Sequence, residues 1–235
     1  MEYILKNNKL KITNKKRGEK IKKWILWMVV VSIMISMMTG CNNSSSNLSG
    51  YSPATGVLDT TFDGDGIVIN DNAAGGYGRD EGESIYVDSS GKIYVTGYSR
   101  NSSGNDDMVI WRYNSNGSLD TSFGNNGIVV HHNAAGGNSD DVGRSIYVDN
   151  TGKIYVTGYS RNSSDNKDMV IWRYNSDGRL DTSFNGTGIV VHHNASGGNS
   201  YDEGNSIYVD SSGKIYVTGY SYNFINAAMV IWKYK

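Results

Sequence analysis

Three aspartates recur in one local frame, as Asp80-x-Gly82, Asp141-x-Gly143 and Asp202-x-Gly204. If their carboxylates converged, oxygen ligands would surround a position suited to a hard cation such as calcium. A carboxylate at a strand entry also satisfies backbone N–H groups in a turn. A residue repeated in register is most simply explained by a repeated local task, so Asp80, Asp141 and Asp202 are expected to serve the backbone. Asp59, Asp120 and Asp181, each in Leu-Asp-Thr, invite the same reading. Asp63-Gly64-Asp65-Gly66 suggests a calcium loop but lacks the EF-hand spacing and the later bidentate glutamate. The four histidines come as two adjacent pairs, His131-His132 and His192-His193. Neighbours on a strand face opposite ways, so a pair does not easily share one metal, and zinc needs three or four converging ligands. The chain has no HExxH, phosphate loop, CxxC or nucleophile–base signature. Catalysis rests on singular residues in a defined constellation, whereas nearly every polar candidate here recurs. No enzymatic activity and no cofactor are expected.

The elements that must position these residues repeat every 61 residues. Leu58-Asp59-Thr60 returns at Leu119 and Leu180, and Ser84-Ile85-Tyr86-Val87 returns at Ser145 and Ser206. Met108-Val109-Ile110-Trp111 returns at Met169 and, one residue short, at Met229. Such a period means one supersecondary unit stacked on copies of itself. The middle copy reads as four short strands, Gly127–Asn133, Arg144–Asp149, Lys153–Ser160 and Met169–Tyr174, with turns rich in Gly, Asn, Asp and Ser between them. Asp149-Asn150-Thr151-Gly152 and its equivalents are tight hairpin turns. Aliphatic side chains line one face of these strands and aromatic ones the other, so both faces are expected to be covered. Sheets stacked around an axis achieve this, and the fold class is all-β, with β-propeller-type repeats in three four-stranded antiparallel blades.

Asn116-Gly-Ser-Leu-Asp-Thr-Ser-Phe-Gly124 and Asp177-Gly-Arg-Leu-Asp-Thr-Ser-Phe-Asn185 resemble the bacterial delta-60 repeat, as does the Met-Val-Ile-Trp-Arg-Tyr strand before each. Ser206 to Gly219 is similar to the blade core of SBBP and NHL-type propeller repeats. The resemblance covers essentially all of residues 56–235 and implies a β-propeller without implying an activity. It also implies that Ser-Ile-Tyr-Val is the innermost strand and Gly-Ile-Val-Val the outermost. On that basis a lone outer strand, Gly66–Asn70, opens the repeat region, and the last blade lacks its own. Three blades fall short of the usual ring of four to eight. Either two chains build six blades head to tail as a homodimer, each lending Gly66–Asn70 to its partner, or the unit is a three-blade monomer or a fragment of a longer gene.

The N-terminal region differs in kind. Met1–Lys23 holds nine of the 22 Lys/Arg and two of the 23 Asp/Glu, and an apolar run from Trp24 to Met38 follows. A basic leader, a short apolar segment and a small residue form an export signal; the run is shorter than the ~20 residues that span a bilayer. Met38-Thr39-Gly40-Cys41 resembles the bacterial lipobox, which implies lipidation of Cys41, the only cysteine. The other reading is an uncleaved signal anchor. Residues 1–40 are thus expected to be a lipoprotein signal peptide, 41–55 a flexible Ser/Asn/Gly tether with the only proline, Pro53, and 56–235 the repeat domain. The location implied is the bacterial cell envelope, lipid-anchored at the outer membrane, cell surface or periplasm. Without the leader, 13 Lys/Arg face 21 Asp/Glu, a formal charge of −8, which offers no footprint for nucleic acid.

Binding is the expected class of function, with a protein or a glycan as ligand, and a structural spacer or assembly element as the alternative. The links between strands place Arg100, Arg161, His132, His193, Tyr222 and Phe224 as a candidate ligand face. Tyr222-Asn223-Phe224-Ile225 replaces a charged loop of the other copies, and its apolar tip is either a partner site or a divergence without function.

Overall fold

The computed structural model describes residues 56–198 and 200–235; the leader, Cys41 and the rest of the 41–55 tether lie outside them. Eleven strands form three antiparallel sheets among the described residues. Blade 1 contains β1 (Gly75–Val87), β2 (Ile93–Asn101), β3 (Asp106–Tyr113) and β4 (Ile128–His131), paired in that order. Blade 2 repeats the meander as β5 (Gly136–Val148), β6 (Ile154–Asn162), β7 (Lys167–Tyr174) and β8 (Ile189–His192). Blade 3 has β9 (Asp202–Val209), β10 (Ile215–Tyr222) and β11 (Ala227–Tyr234). The sheets therefore hold four, four and three strands, an all-β fold of propeller-type blades in which the last lacks its outer strand, as the repeat pattern implies.

Local chemistry sets the hairpins. Asp88 Oδ1 accepts the backbone N–H of Ser90 at 2.8 Å and of Lys92 at 3.0 Å, and Gly91 closes the turn at φ 81°. Asp149 and Asp210 repeat the same bonds in the other blades. The β-branched and aromatic runs then pair in register, from Ile93↔Tyr113 to Arg100↔Asp106 in blade 1.

The inner strands are longer than the sequence suggests. β5 begins at Gly136 rather than Arg144, with register shifts between Gly136 and Asp141 and between Gly143 and Ser145. The stretch expected to be an exposed link is mostly an irregular strand. It lies so close to β6 that a Cβ at Gly137 would stand 2.2 Å from the Arg161 carbonyl oxygen, and polar composition does not reveal such backbone proximity.

Blades stack through apolar faces. Met108 and Ile110 of β3, fully buried, join Ile146 and Val148 of β5 in one cluster, and Met169 and Ile171 of β7 join Ile207 and Val209 of β9 in the next. Each such side chain contributes roughly 1.5–3 kcal/mol when fully buried. Inner strands adjoin: Ser84 Oγ accepts from Ile146 N at 3.4 Å, and Ser145 Oγ from Ile207 N at 3.2 Å. Tyr86, Tyr147 and Tyr208 form a ladder with ring centroids 5.8 and 5.6 Å apart. Arg144 ties all three blades, pairing with Glu83 of blade 1 and, at 2.9 Å, with Glu203 of blade 3.

Gly66–Asn70, expected to be a twelfth strand, is not one, because no edge among the described residues offers it a ladder. Its placement is nonetheless that of an outer strand. Asn70 Oδ1 accepts the Trp111 indole N–H at 2.8 Å, at the position from which His131 packs on Trp172 and His192 on Trp232.

Candidate functional site

A group of polar side chains lies where the β6–β7 turn, the link into β5 and the end of β8 meet. Asn162 organises the turn. Its Oδ1 accepts the backbone N–H of Ser164 at 2.9 Å and of Asn166 at 3.2 Å. Its Nδ2 donates to both carboxylate oxygens of Asp168, at 3.1 and 3.0 Å. Asp168, the second residue of β7, is buried, and that burial pushes its carboxyl above the ordinary carboxylate value despite the opposing Asn162 bond and the nearby His193. Exposed His193 follows β8 directly. Together Asn162, Ser163, Ser164, Asp168 and His193 line an open groove of about 510 Å³ with Ala134–Gly136 along its wall.

Blade 1 carries the same side-chain set. Asn101 Oδ1 accepts from Ser103 N at 2.9 Å and Asn105 N at 3.1 Å, while its Nδ2 donates to Asp107 at 2.9 Å. Burial again raises the Asp107 carboxyl, against the opposing Asn101 bond and the nearby His132. Blade 3 keeps the turn through Asn223 Oδ1 but has Ala228 opposite Ser221, where blade 2 has Asp168 opposite Ser160. The acid and the outer strand are both missing there, so the third copy lacks the arrangement.

The residues singled out in the sequence thus separate. His193 reaches the groove, and His132 stands at its counterpart. Arg161 is held by Asp140 at 3.3 Å and by the Asp165 carbonyl at 2.7 Å, and half-buried Arg100 runs beneath Gly78. Tyr222 donates to the Phe224 carbonyl at 3.4 Å, at a tip where Phe224, at φ 73°, is 66% exposed. Sequence reasoning passed over Asp168 and Asp107; the signal was an Asn and an Asp six residues apart, present in two copies and broken in the third.

Asp80, Asp141 and Asp202 serve the backbone, but across eight residues rather than within a local turn. Asp141 accepts from Asn133 N at 2.8 Å and Ala134 N at 3.2 Å, and the other two make the same pair of bonds. Burial pushes the Asp141 carboxyl up to about 6 despite bonds from Ser160, Asn133 and Ala134. The histidine pairs split as alternation requires: His131 packs on Trp172 at 6.2 Å, with burial and His132 pushing its imidazole down to about 4, while His132 is exposed. Among the described residues no three His, Cys, Asp or Glu converge on a metal position. Asp120 and Asp181 are more than turn residues. Besides accepting from Ser122 and Ser183, they pair with Lys92 and Arg112, and with Lys153 and Arg173.

Comparison with known proteins supports the repeats. Residues 89–123 and 150–184 match a family model described as a domain of unknown function (DUF5122) beta-propeller, and residues 196–224 match a beta-propeller repeat (SBBP). The repeat region thus carries β-propeller-type repeats. Among solved structures it is similar to a fucose lectin from Kordia zhangzhouensis, in complex with methyl-fucoside, at 18% identity and a TM-score of 0.37, with 64% of this chain and 94% of that chain covered. No curated protein matches it.

Proposed function

We propose that this chain is an exported, lipid-anchored binding protein of the bacterial cell envelope that holds a glycan, without catalysis, in the loop-face groove of blade 2. The observation that carries the reading is the buried Asp168 carboxylate, fixed by the Asn162 amide and opening beside His193 and two serines into a groove of about 510 Å³. Sugars present vicinal hydroxyls that donate to a carboxylate and accept from imidazole and hydroxyl groups. Fixing the acceptor beforehand removes part of the ordering cost of binding. A formal charge of −8 outside the leader disfavours anionic polymers, so a neutral or amino-bearing glycan fits best. Lipidation at Cys41 would hold the groove at a membrane surface through the 41–55 tether.

Glycan-array screening of the purified protein, followed by calorimetry on the best sugar, tests this. Asp168→Ala is expected to weaken binding about 10–150-fold, the range for hydrogen bonds to a charged group, and His193→Ala to weaken it less. Absence of any bound glycan, or a bound glycan indifferent to both substitutions, removes the reading. The assembly role is favoured by a separate observation, the two uncovered faces described next.

A further inference from the structure

The arc of three blades leaves two faces without partners among the described residues, and each has what the other lacks. At the leading face, Ile85 is 65% and Val87 56% exposed, although their counterparts Ile146, Val148, Ile207 and Val209 are all buried. At the trailing face, Met229 is 73% and Ile231 65% exposed, although Met108, Ile110, Met169 and Ile171 are fully buried. Inside the arc, a Cβ at Gly143 would meet Thr96 Oγ1 at 2.4 Å and Met108 Cγ at 3.1 Å, and one at Gly204 would meet Thr157 Oγ1 and Met169 Cγ at 2.3 and 3.2 Å. Gly82 meets only Val95 of its own blade, while Thr218 and Met229 stand exposed at the far end. An open groove of about 420 Å³ lies at the leading face, with Ile69, Gly82 and Ile85 in its walls.

Charges and backbone repeat the pattern. Lys92 and Arg112 hold Asp120, and Lys153 and Arg173 hold Asp181. Their third-blade counterparts, Lys214 and Lys233, pair with no acid among the described residues, and Asp59, the first-copy counterpart of Asp120, pairs with no cation there. Among the described residues β11 has a free edge, while Ile67–Asn70 already lies where an outer strand belongs but has no strand beside it.

We propose that two copies of this chain close head to tail into a six-bladed ring. At each junction Met229 and Ile231 of one copy pack on Ile85 and Val87 of the other, and Thr218 seats against Gly82. Ile67–Asn70 adds to β11 in the register of β3 with β4, which sets Met229 opposite Asn70 and Trp232 opposite Ile67, as Met108 stands opposite His131 and Trp111 opposite Ile128. Asp59 takes Lys214 and Lys233 of the neighbouring copy. A heterologous contact that closes after two copies leaves no free edge, and six blades fall within the usual range for propellers. The occupant is a second copy because every missing partner is supplied, in residue type and register, by the other end of this same sequence. An unrelated protein or small ligand has no reason to match a threonine, a methionine, an isoleucine and two lysines at these spacings.

Native mass spectrometry of the full chain, released from mild detergent, reads the stoichiometry. Wild type is expected at twice the mass measured for one chain after denaturation. Ile85→Asp and Met229→Asp, at opposite ends and both exposed in the single chain, are each expected to give folded monomer by circular dichroism. The charge swap separates this junction from association through the leader: Asp59→Lys alone and Lys214→Asp/Lys233→Asp alone weaken the dimer at least tenfold, and the combined variant restores it. Monomeric wild type, any order other than two, a dimer that survives both apolar-to-Asp variants, or a swap that fails to restore would overturn the proposal. Glycan binding or its absence does not bear on it.

Discussion

Asp120→Asn is expected to destabilise the repeat domain by a pH-dependent amount that can be worked out beforehand. Asp120 Oδ2 accepts Lys92 Nζ at 2.6 Å and Arg112 Nε at 3.0 Å, with the side chains 7%, 35% and 9% exposed respectively. Breaking a buried ion pair from one side costs about 3–5 kcal/mol, whereas a surface pair is worth about 0–1 kcal/mol. Lys92 keeps Asn114 and partial hydration, so its share is the smaller. Arg112 keeps Ser122 and the Phe123 ring, 4.4 Å from its guanidinium carbon, but loses its counter-charge in a nearly dry position. The net estimate is roughly 2–3 kcal/mol. At roughly 2–4 °C per kcal/mol for a domain of this size, melting followed by circular dichroism at pH 7 should fall by about 4–12 °C.

The pH dependence follows from the direction of the Asp120 shift. Burial raises the carboxyl, but bonds from Lys92 and Ser122 and the Arg112 charge outweigh it and hold it well below the ordinary carboxylate value. A carboxyl depressed in the folded state contributes stability that is complete above its unfolded pKa, near 3.9, and is lost as pH falls through the folded value. The gap between wild type and Asp120→Asn should therefore be constant from pH 7 to about 4 and narrow below that. Asp141 acts in the opposite sense: a carboxyl raised to about 6 withdraws stability as pH rises from about 4 to 6, but it is present in both proteins and cancels in their difference. Equal melting temperatures at pH 7, or a gap undiminished at pH 2, would refute the reasoning.

Met169→Ala, at a fully buried blade contact, should lower stability by about 2–5 kcal/mol, read as a lower urea midpoint with an unchanged slope. An equal loss for Met229→Ala in a chain kept single by Ile85→Asp would contradict the blade assignment, because Met229 is 73% exposed there. Cys41→Ser should move the protein from the Triton-soluble membrane fraction to the soluble or signal-anchored precursor pool and abolish palmitate labelling, and persistent labelling would rule out Cys41 as the lipid site.

Much of the fold was legible because it is built locally. The 61-residue period, the Asp-x-x-Gly hairpins and the Met-Val-Ile-Trp strand depend on neighbours a few residues apart, so sequence order carries them. The strand from Gly136 to Arg144 was not legible, since its glycines and polar residues resemble a loop until the β6 backbone lies against it. The candidate site was half legible. His193 stood out as a rare residue, whereas Asp168 became significant only once its burial and its bonds to Asn162 were known.

The sequence by itself determined the repeating unit, its antiparallel meander and the two-sided burial of its strands, because periodicity and alternation are properties of the chain. Tertiary structure alone decided which copies of a repeated residue are satisfied. Met108, Met169 and Met229 are the same residue in the same motif, yet two are sealed and one is bare. Asp59 has no cation partner among the described residues, whereas Asp120 holds two. Burial and pairing belong to the neighbour across the blade junction, and where that neighbour falls depends on how the copies stack.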